Sequence, residues 1–422
     1  VKPHPNAAAP PPGDEASFGP PHAGTAEEGG GGPRLFVIAG DPSGDIHAGN
    51  MLRALKEMCP NIRMAGLGGP NMKKAGMKLL ANIVEDLAII GFTGVVRNFP
   101  KIRRLYLRTV SVLAKERPDA LLLVDYPGFN LRMAAEAKKL GIPVIYYISP
   151  QIWAWRRGRI KTIARVVDKM IVIFPFEEGL FRQAGIDVTY VGHPLMDLLQ
   201  IDMNREQVLA HFGLDPAKKV IGLVPGSRKS EIENMLPTML GAAERLAARV
   251  PNVQFALPRA ATISEDYLKR YLDKCRAPVC VADRYRYNLR ATFDFAWVTS
   301  GTATLETAIL MTPMIIVYRV NWLTWLVGKR FMTLACIGLP NIVAGDIIVP
   351  ELLQDEFTPQ NLASHTLKYL NHAEEHERMR ESLRAVKEKL GGPGASRLAA
   401  KAVLEALGKM MGSTPSPPNP PK

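Results

Sequence analysis

Cysteine is scarce in this chain, with four among 422 residues. Cys59, Cys275, Cys280 and Cys336 are scattered, and the one close pair, Cys275 and Cys280, has a spacing that suits no common zinc motif. A disulfide-stapled scaffold is therefore not the organising principle, and unpaired thiols fit a reducing compartment. Aromatic residues are also sparse, at 7%, too few for the aromatic-rich strands that stack nucleic-acid bases. No run of about 18 apolar residues occurs, so no membrane span is expected. No Asp-x-Asp pair of the kind that holds a metal on a sugar diphosphate is present. Residues 1–32 lack the basic start and unbroken apolar core of a secretory signal.

Apolar residues and positive charge are plentiful. Hydrophobic residues make up 47% of the chain, enough for sizeable cores, and the length implies two domains. The formal charge of +13 suits an anionic partner: nucleic acid, membrane surface or anionic substrate. Residues 1–33, rich in Pro, Gly and Ala, and the Pro-rich residues 411–422 are expected to be disordered.

Two segments open in the same way. Leu35-Phe36-Val37-Ile38-Ala39-Gly40 reads as a strand, followed by the loop Asp41-Pro42-Ser43-Gly44-Asp45 and a helix-spaced apolar series. Val220-Ile221-Gly222-Leu223-Val224 is followed by Pro225-Gly226-Ser227-Arg228 in the same manner. Further strands are expected at 120–125, 144–148 and 170–174 in the first half, and at 253–257, 293–298 and 313–318 in the second. Strands alternating with helices imply parallel sheets covered on both faces. The polar stretch 197–218 separates the halves, giving domains of 34–200 and 201–410. The charged amphipathic stretch 358–409, broken at 391–394, supplies a helix able to pack back on the first domain or on a second chain.

The candidate sites lie at strand ends, where ligands bind in such sheets. In Ser300-Gly301-Thr302-Ala303-Thr304-Leu305-Glu306 a small-residue turn opens a helix, leaving N–H groups suited to a phosphate. Glu306, one turn in, can accept from ribose hydroxyls. Gly226, Ser227 and Arg228 suit a diphosphate, through close backbone approach and a guanidinium. Asp125 ends a strand and is a candidate base for a hydroxyl nucleophile, with loop capping as the alternative. Asp45 is a candidate for orienting a substrate or a second catalytic group, and Asp41 equally for a helix cap. His193, in Gly192-His193-Pro194 near the junction, is a candidate for a phosphate or sugar hydroxyl; a structural role is the alternative. Leu87, Ile89, Ile90, Phe92, Val95, Val96 and Phe99 form an apolar stretch, followed by Lys101, Arg103, Arg104 and Arg108. Apolar anchors beside cations match a membrane or acyl-chain contact, the alternative being a buried helix with a solvated edge. A second basic cluster, Arg156, Arg157, Arg159, Lys161 and Arg165, follows Trp153-Ala154-Trp155.

These segments, with Gly66-Leu67-Gly68-Gly69-Pro70, Tyr147-Ile148-Ser149-Pro150-Gln151-Ile152-Trp153, Leu339-Pro340-Asn341-Ile342 and Glu351-Leu352-Leu353-Gln354, resemble the lipid-A-disaccharide synthase family in order and spacing, from about residue 34 to about 407. The resemblance implies an α/β protein of GT-B architecture, two doubly wound Rossmann-like domains facing a central cleft. It implies an inverting transfer from UDP-2,3-diacylglucosamine to 2,3-diacylglucosamine 1-phosphate. It also implies a cytoplasmic enzyme at the inner membrane surface, a homodimer through the C-terminal segment, no metal cofactor and no nucleic-acid partner. By position, Asp125 matches the family's essential aspartate. Arg228, Glu306, Asn341 and Gln354 match its UDP side, and residues 87–99 its membrane-associating region. The chain departs from the family in having Asp41 where Glu is usual, and in its first 33 residues. The alternative is another UDP-sugar-dependent GT-B enzyme, an N-acetylglucosaminyltransferase or an epimerase.

Overall fold

The apolar runs form strands buried along nearly their whole length. In the computed structural model, which describes residues 31–84, 99–155, 157–321, 325 and 336–412, β1 (Arg34–Ala39) is buried from Leu35 onward and β4 (Ala120–Val124) throughout. Of the expected disorder at 1–33 and 411–422, residues 1–30 and 413–422 fall outside the described residues, while 411 and 412 are not a tail but the end of a helix, Ala395–Gly412. Leu87, Ile89, Ile90, Phe92, Val95, Val96 and the side chain of Phe99 also fall outside the described residues.

Two all-parallel sheets result. The first holds β1, β2 (Arg63–Gly68), β3 (Lys78–Asn82), β4, β5 (Val144–Tyr147), β6 (Lys169–Val172) and β7 (Asp187–Tyr190), in the order β3-β2-β1-β4-β5-β6-β7. The second holds β8 (Lys219–Val224), β9 (Val253–Pro258), β10 (Val279–Ala282), β11 (Phe295–Thr299), β12 (Met314–Tyr318) and β13 (Glu351–Leu353), in the order β10-β9-β8-β11-β12-β13. β2, β3, β7, β10 and β13 extend the sheets beyond the strands expected from sequence. β7, β10 and β13 are short, and β2 carries Gly66, where a Cβ would lie 1.9 Å from the Val37 carbonyl oxygen.

In each sheet the strand order reverses once beside the first strand: between β1 and β4, and between β8 and β11. Parallel strands rise in the same direction, so the loops leaving such a pair diverge to opposite faces and open a crevice. Gly40-Asp41 and Asp125-Tyr126 flank the first crevice, and residues 225–228 and 300–302 the second.

The stretch between the sheets contains the helices Leu195–Leu198 and Arg205–Phe212. Three helices follow β13: Pro359–Asn371, Ala373–Lys389 and Ala395–Gly412. The last packs on the first sheet's helix Pro42–Met58 and on β5 and β6, so it does not belong with the second domain as 201–410 had it. Its buried face is rich in small residues, including Ala399, Ala400, Ala402 and Ala406, which permit a close approach. Asp197 secures its start, accepting from the backbone N–H groups of Gly394 at 2.5 Å and Ser396 at 2.9 Å. These are donors that a helix N-terminus leaves without intrahelical partners. Asp197→Ala is expected to cost about 1–2 kcal/mol, read as a lower urea midpoint with an unchanged slope.

Candidate active site

Asp125 and Tyr126 turn the chain sharply at the end of β4. Both have left-handed backbones, with φ of 46° and 48°, a conformation costing non-glycine residues roughly 1–2 kcal/mol each. Side-chain bonds hold the turn. Asn130 Nδ2 donates to the carbonyl oxygens of Val124 (3.1 Å) and Asp125 (2.7 Å), and Tyr146 OH donates to the Asp125 carbonyl at 2.6 Å. The Asp125 carboxyl is thereby held at the crevice, half-buried. Burial, reinforced by the Asp41 carboxylate, pushes its pKa up to about 6 against a partial offset from the Tyr126 N–H. Asp41 caps the helix Pro42–Met58, its Oδ2 accepting from Ser43 N and Gly44 N at 3.2 Å each. A Cβ on Gly40 would meet the Tyr126 ring at 2.3 Å, so only glycine fits between the two loops.

The second crevice is a cleft of about 360 Å³. Gly226, Ser227, Arg228, Ser300, Gly301, Thr302, Ala303 and Glu306 all line it, so the structure brings these residues together. The helix Thr302–Ile309 starts there, with Gly301 in an extended left-handed-side conformation (φ 145°). Its first-turn N–H groups and macrodipole favour an anion. The first loop is arranged differently from the expectation. Glu231 accepts from the N–H groups of Ser227 (2.7 Å) and Arg228 (3.1 Å), so these amides point at a carboxylate. Glu231 also accepts from one guanidinium nitrogen of Arg228 at 2.8 Å, and that side chain as a whole is 78% exposed. The Arg228 contribution is therefore its guanidinium.

Four candidates serve the fold instead. Asp45 is 1% exposed. Its Oδ1 accepts from Gly69 N and Met72 N, and its Oδ2 from Asn71 N and Asn71 Nδ2, at 2.7–3.1 Å. It caps the helix Pro70–Lys74 and has nothing left to orient a substrate. His193 is buried, its Nδ1 accepts from Leu195 N at 3.2 Å, and its ring packs on Phe174. Burial, with His47 nearby, lowers its pKa to about 3, so the ring is neutral and supplies no charge for a phosphate. Asn341 is wholly buried. Its Nδ2 donates to Val349 O and Glu351 Oε1, and its Oδ1 accepts from Ile348 N and Val349 N. Gln354 exchanges both amide bonds with the backbone of Val320. Neither Asn341 nor Gln354 lines the cleft.

Residues not anticipated also line it: Arg286, Tyr287 and Arg290, from the helix Arg286–Ala291, and Glu231. The run Arg284, Arg286, Arg290 after β10 was the available signal.

Two parallel doubly wound sheets, each with a crevice at its order reversal and one lined by cations and a helix N-terminus, define the GT-B class of sugar-nucleotide enzymes. The likeness extends to a solved structure, a UDP-GlcNAc 2-epimerase from Neisseria meningitidis bound to UDP-GlcNAc. It has a TM-score of 0.58 and 14% identity, and covers 89% of this chain and 99% of that one. That likeness carries the fold alone. A family model described as Lipid-A-disaccharide synthetase matches residues 35–406. A lipid-A-disaccharide synthase from Trichlorobacter lovleyi is 43% identical over 374 residues, 89% of this chain and 97% of the relative. One from Geobacter metallireducens is 42% identical over 376 residues, 89% and 98%. The chain belongs to the lipid-A-disaccharide synthetase family and is a glycosyltransferase of lipid A biosynthesis.

A raised carboxyl pKa is also a statement about stability. The ionised form of Asp125 is disfavoured in the folded chain, so the group destabilises the fold in full above about pH 6, and that penalty shrinks as pH falls from about 6 towards the ordinary value of 3.8, below which it is gone. Asp125→Asn, which keeps the shape and suits a left-handed backbone, is expected to raise stability at pH 8 by about 1–2 kcal/mol. The gain should shrink towards pH 4.5. Thermal melts at the two pH values check both sign and trend.

Proposed function

We propose that the chain joins UDP-2,3-diacylglucosamine to 2,3-diacylglucosamine 1-phosphate, releasing UDP and a β-1,6-linked disaccharide 1-phosphate. The observation that carries the reading is the pairing of two unlike crevices. One offers a half-buried carboxyl able to take a proton, the other cations at a helix N-terminus. In this reading 34–200 is the acceptor domain and the second sheet with its helices the donor domain. Asp125 takes the proton of the acceptor 6-hydroxyl as its oxygen attacks the anomeric carbon of the donor. The bond to the diphosphate breaks on the opposite face, UDP leaves with the electron pair, and the anomeric centre inverts. Arg228 and the N-terminus of the helix Thr302–Ile309 stabilise the negative charge on the departing diphosphate, a role that needs no metal.

Turnover in detergent micelles containing EDTA tests this. Disaccharide is expected from the acylated donor and not from UDP-N-acetylglucosamine; the reverse would point to the alternative, a different UDP-sugar enzyme. Asp125→Asn should lose at least about 100-fold in kcat and keep its affinity for UDP. Wild-type kcat/KM should fall below a limb near pH 6, since the base works only when ionised. Near-normal turnover by Asp125→Asn would remove it from the base role.

Peripheral attachment to an anionic membrane surface belongs to the same proposal. No helix of the described residues is long and apolar enough to cross a membrane. The helices Phe99–Glu116, Pro127–Lys139 and Ile160–Val166 pack side by side, so both basic clusters of the sequence share one layer. Lys101, Arg103, Arg104, Arg108, Arg132, Lys161 and Arg165 are exposed on it, with Leu107 among them. Each such cation near an anionic surface contributes about 1 kcal/mol, screened by salt. Co-sedimentation with phosphatidylglycerol vesicles should fall with rising salt and drop at least about tenfold for Arg104→Glu with Arg108→Glu. Salt-insensitive binding would count against the layer. A homodimer through the C-terminal segment is a further part of the reading, supported by exposed Leu398 and Met411 on the last helix and checked by light scattering.

A further inference from the structure

Glu306 is more closely held than a carboxylate waiting for a ligand needs to be. Both of its oxygens are engaged from the helix Arg286–Ala291: Tyr287 OH donates to Oε1 at 3.2 Å, and the Arg290 guanidinium donates to Oε2. Arg290 is 6% exposed. Its second terminal nitrogen donates to the Ala303 carbonyl and to Thr307 Oγ1, at 2.8 Å each. One buried guanidinium thus grips the carboxylate and the first turn of the helix Thr302–Ile309 together.

A guanidinium is a rigid planar fork with permanent charge, so a carboxylate bonded to it has a defined plane. Oε2 is taken by the buried cation, which leaves Oε1 for further donors, and Tyr287, Arg290 and Glu306 all line the cleft wall. Burial and the adjacent carboxylate raise the Tyr287 phenol to about 12, so it remains a donor. At 3.2 Å its bond to Oε1 is long for O–H···O, and a carboxylate oxygen has lone pairs for a second donor. An ion pair serving only to dock two helices would need neither a face on the cleft nor a second donor fixing the carboxylate's rotation.

We propose that Arg290 and Tyr287 are positioning residues: they orient Glu306 to accept from a ribose 2′,3′-diol, and so make the cleft selective for ribonucleotides. The inference rests on the reading of the cleft as a UDP site and adds the residues that set its sugar selectivity. Losing a hydrogen bond to a charged acceptor in a site built for it weakens binding by about 10- to 100-fold.

The test is calorimetric titration of wild type, Tyr287→Phe and Arg290→Lys with UDP and with 2′,3′-dideoxy-UDP. Wild type is expected to bind UDP at least about tenfold more tightly than the dideoxy compound. Arg290→Lys keeps the charge and loses the fork. It should weaken UDP by about tenfold and the dideoxy compound by less than about twofold, collapsing the ratio. Tyr287→Phe removes one hydroxyl from a helix whose backbone is unchanged. It should lower the ratio about threefold, and it decides the matter if Arg290→Lys does not fold. Equal losses for both nucleotides in both variants would make the pair a structural brace and overturn the proposal. Wild type binding UDP and the dideoxy compound alike would overturn it while leaving the UDP site standing. Binding of neither would remove the UDP site as well.

Discussion

A strand buried on both faces leaves little room for an ionisable side chain along its length. Both sheets obey this constraint: β4, β5 and β11 are buried at every position, as expected where helices cover both sides of a parallel sheet. Charge is displaced to the strand ends, and there the order reversal separates neighbouring loops. The candidate residues 125, 226–228, 300–303 and 306 gather at the two such places its topology provides. Among the described residues the lone cation at a buried strand position, Lys169 at the start of β6, is paired with Asp187 at 2.7 Å.

The same constraint sorts the carboxylates. Buried Glu177 accepts from Ser149 Oγ (2.6 Å), Trp153 Nε1 (2.9 Å) and Phe174 N (3.2 Å). Even so, burial pushes its pKa up to about 7, which these donors only partly oppose. Asp45, with four donors, and Asp197, with two, are bound up in helix starts. Asp125 differs in kind, because the side-chain donors that fix it, Asn130 and Tyr146, bond to its carbonyl oxygen. Rigidity is supplied through the backbone, and the side chain stays available to an incoming hydroxyl.

The strand–loop–helix openings were legible because apolar runs and small-residue turns are local signals. They gave most of both sheets and the grouping of residues 226–228 with 300–303 and 306 in one cleft. The destinations of Asp45, His193, Asn341 and Gln354 were not legible. Asp45 meets donors 24–27 residues away, and Gln354 bonds to Val320 across 34. Family likeness pointed to Asn341 and Gln354, and place in the chain to Asp45 and His193, but neither gave the direction each side chain takes. Arg290 and Tyr287 were missed for a related reason. They follow β10, a four-residue strand too short to stand out, so the helix that carries them had no visible anchor.

The chain passes between its two sheets twice, once after β7 and again near Leu390, and the passages are bonded to one another by His193 N donating to the Leu390 carbonyl at 2.9 Å. Tyr190 OH donates to the Lys389 carbonyl beside it at 2.7 Å. Two lobes joined by a single strand can swivel about many axes. Two strands riveted side by side behave as a door on paired pins, leaving opening and shutting as the cheap motion and making twist and shear expensive. Cutting the chain after residue 389 would remove the second pin and also strip the first sheet of the helix that covers the helix Pro42–Met58, β5 and β6.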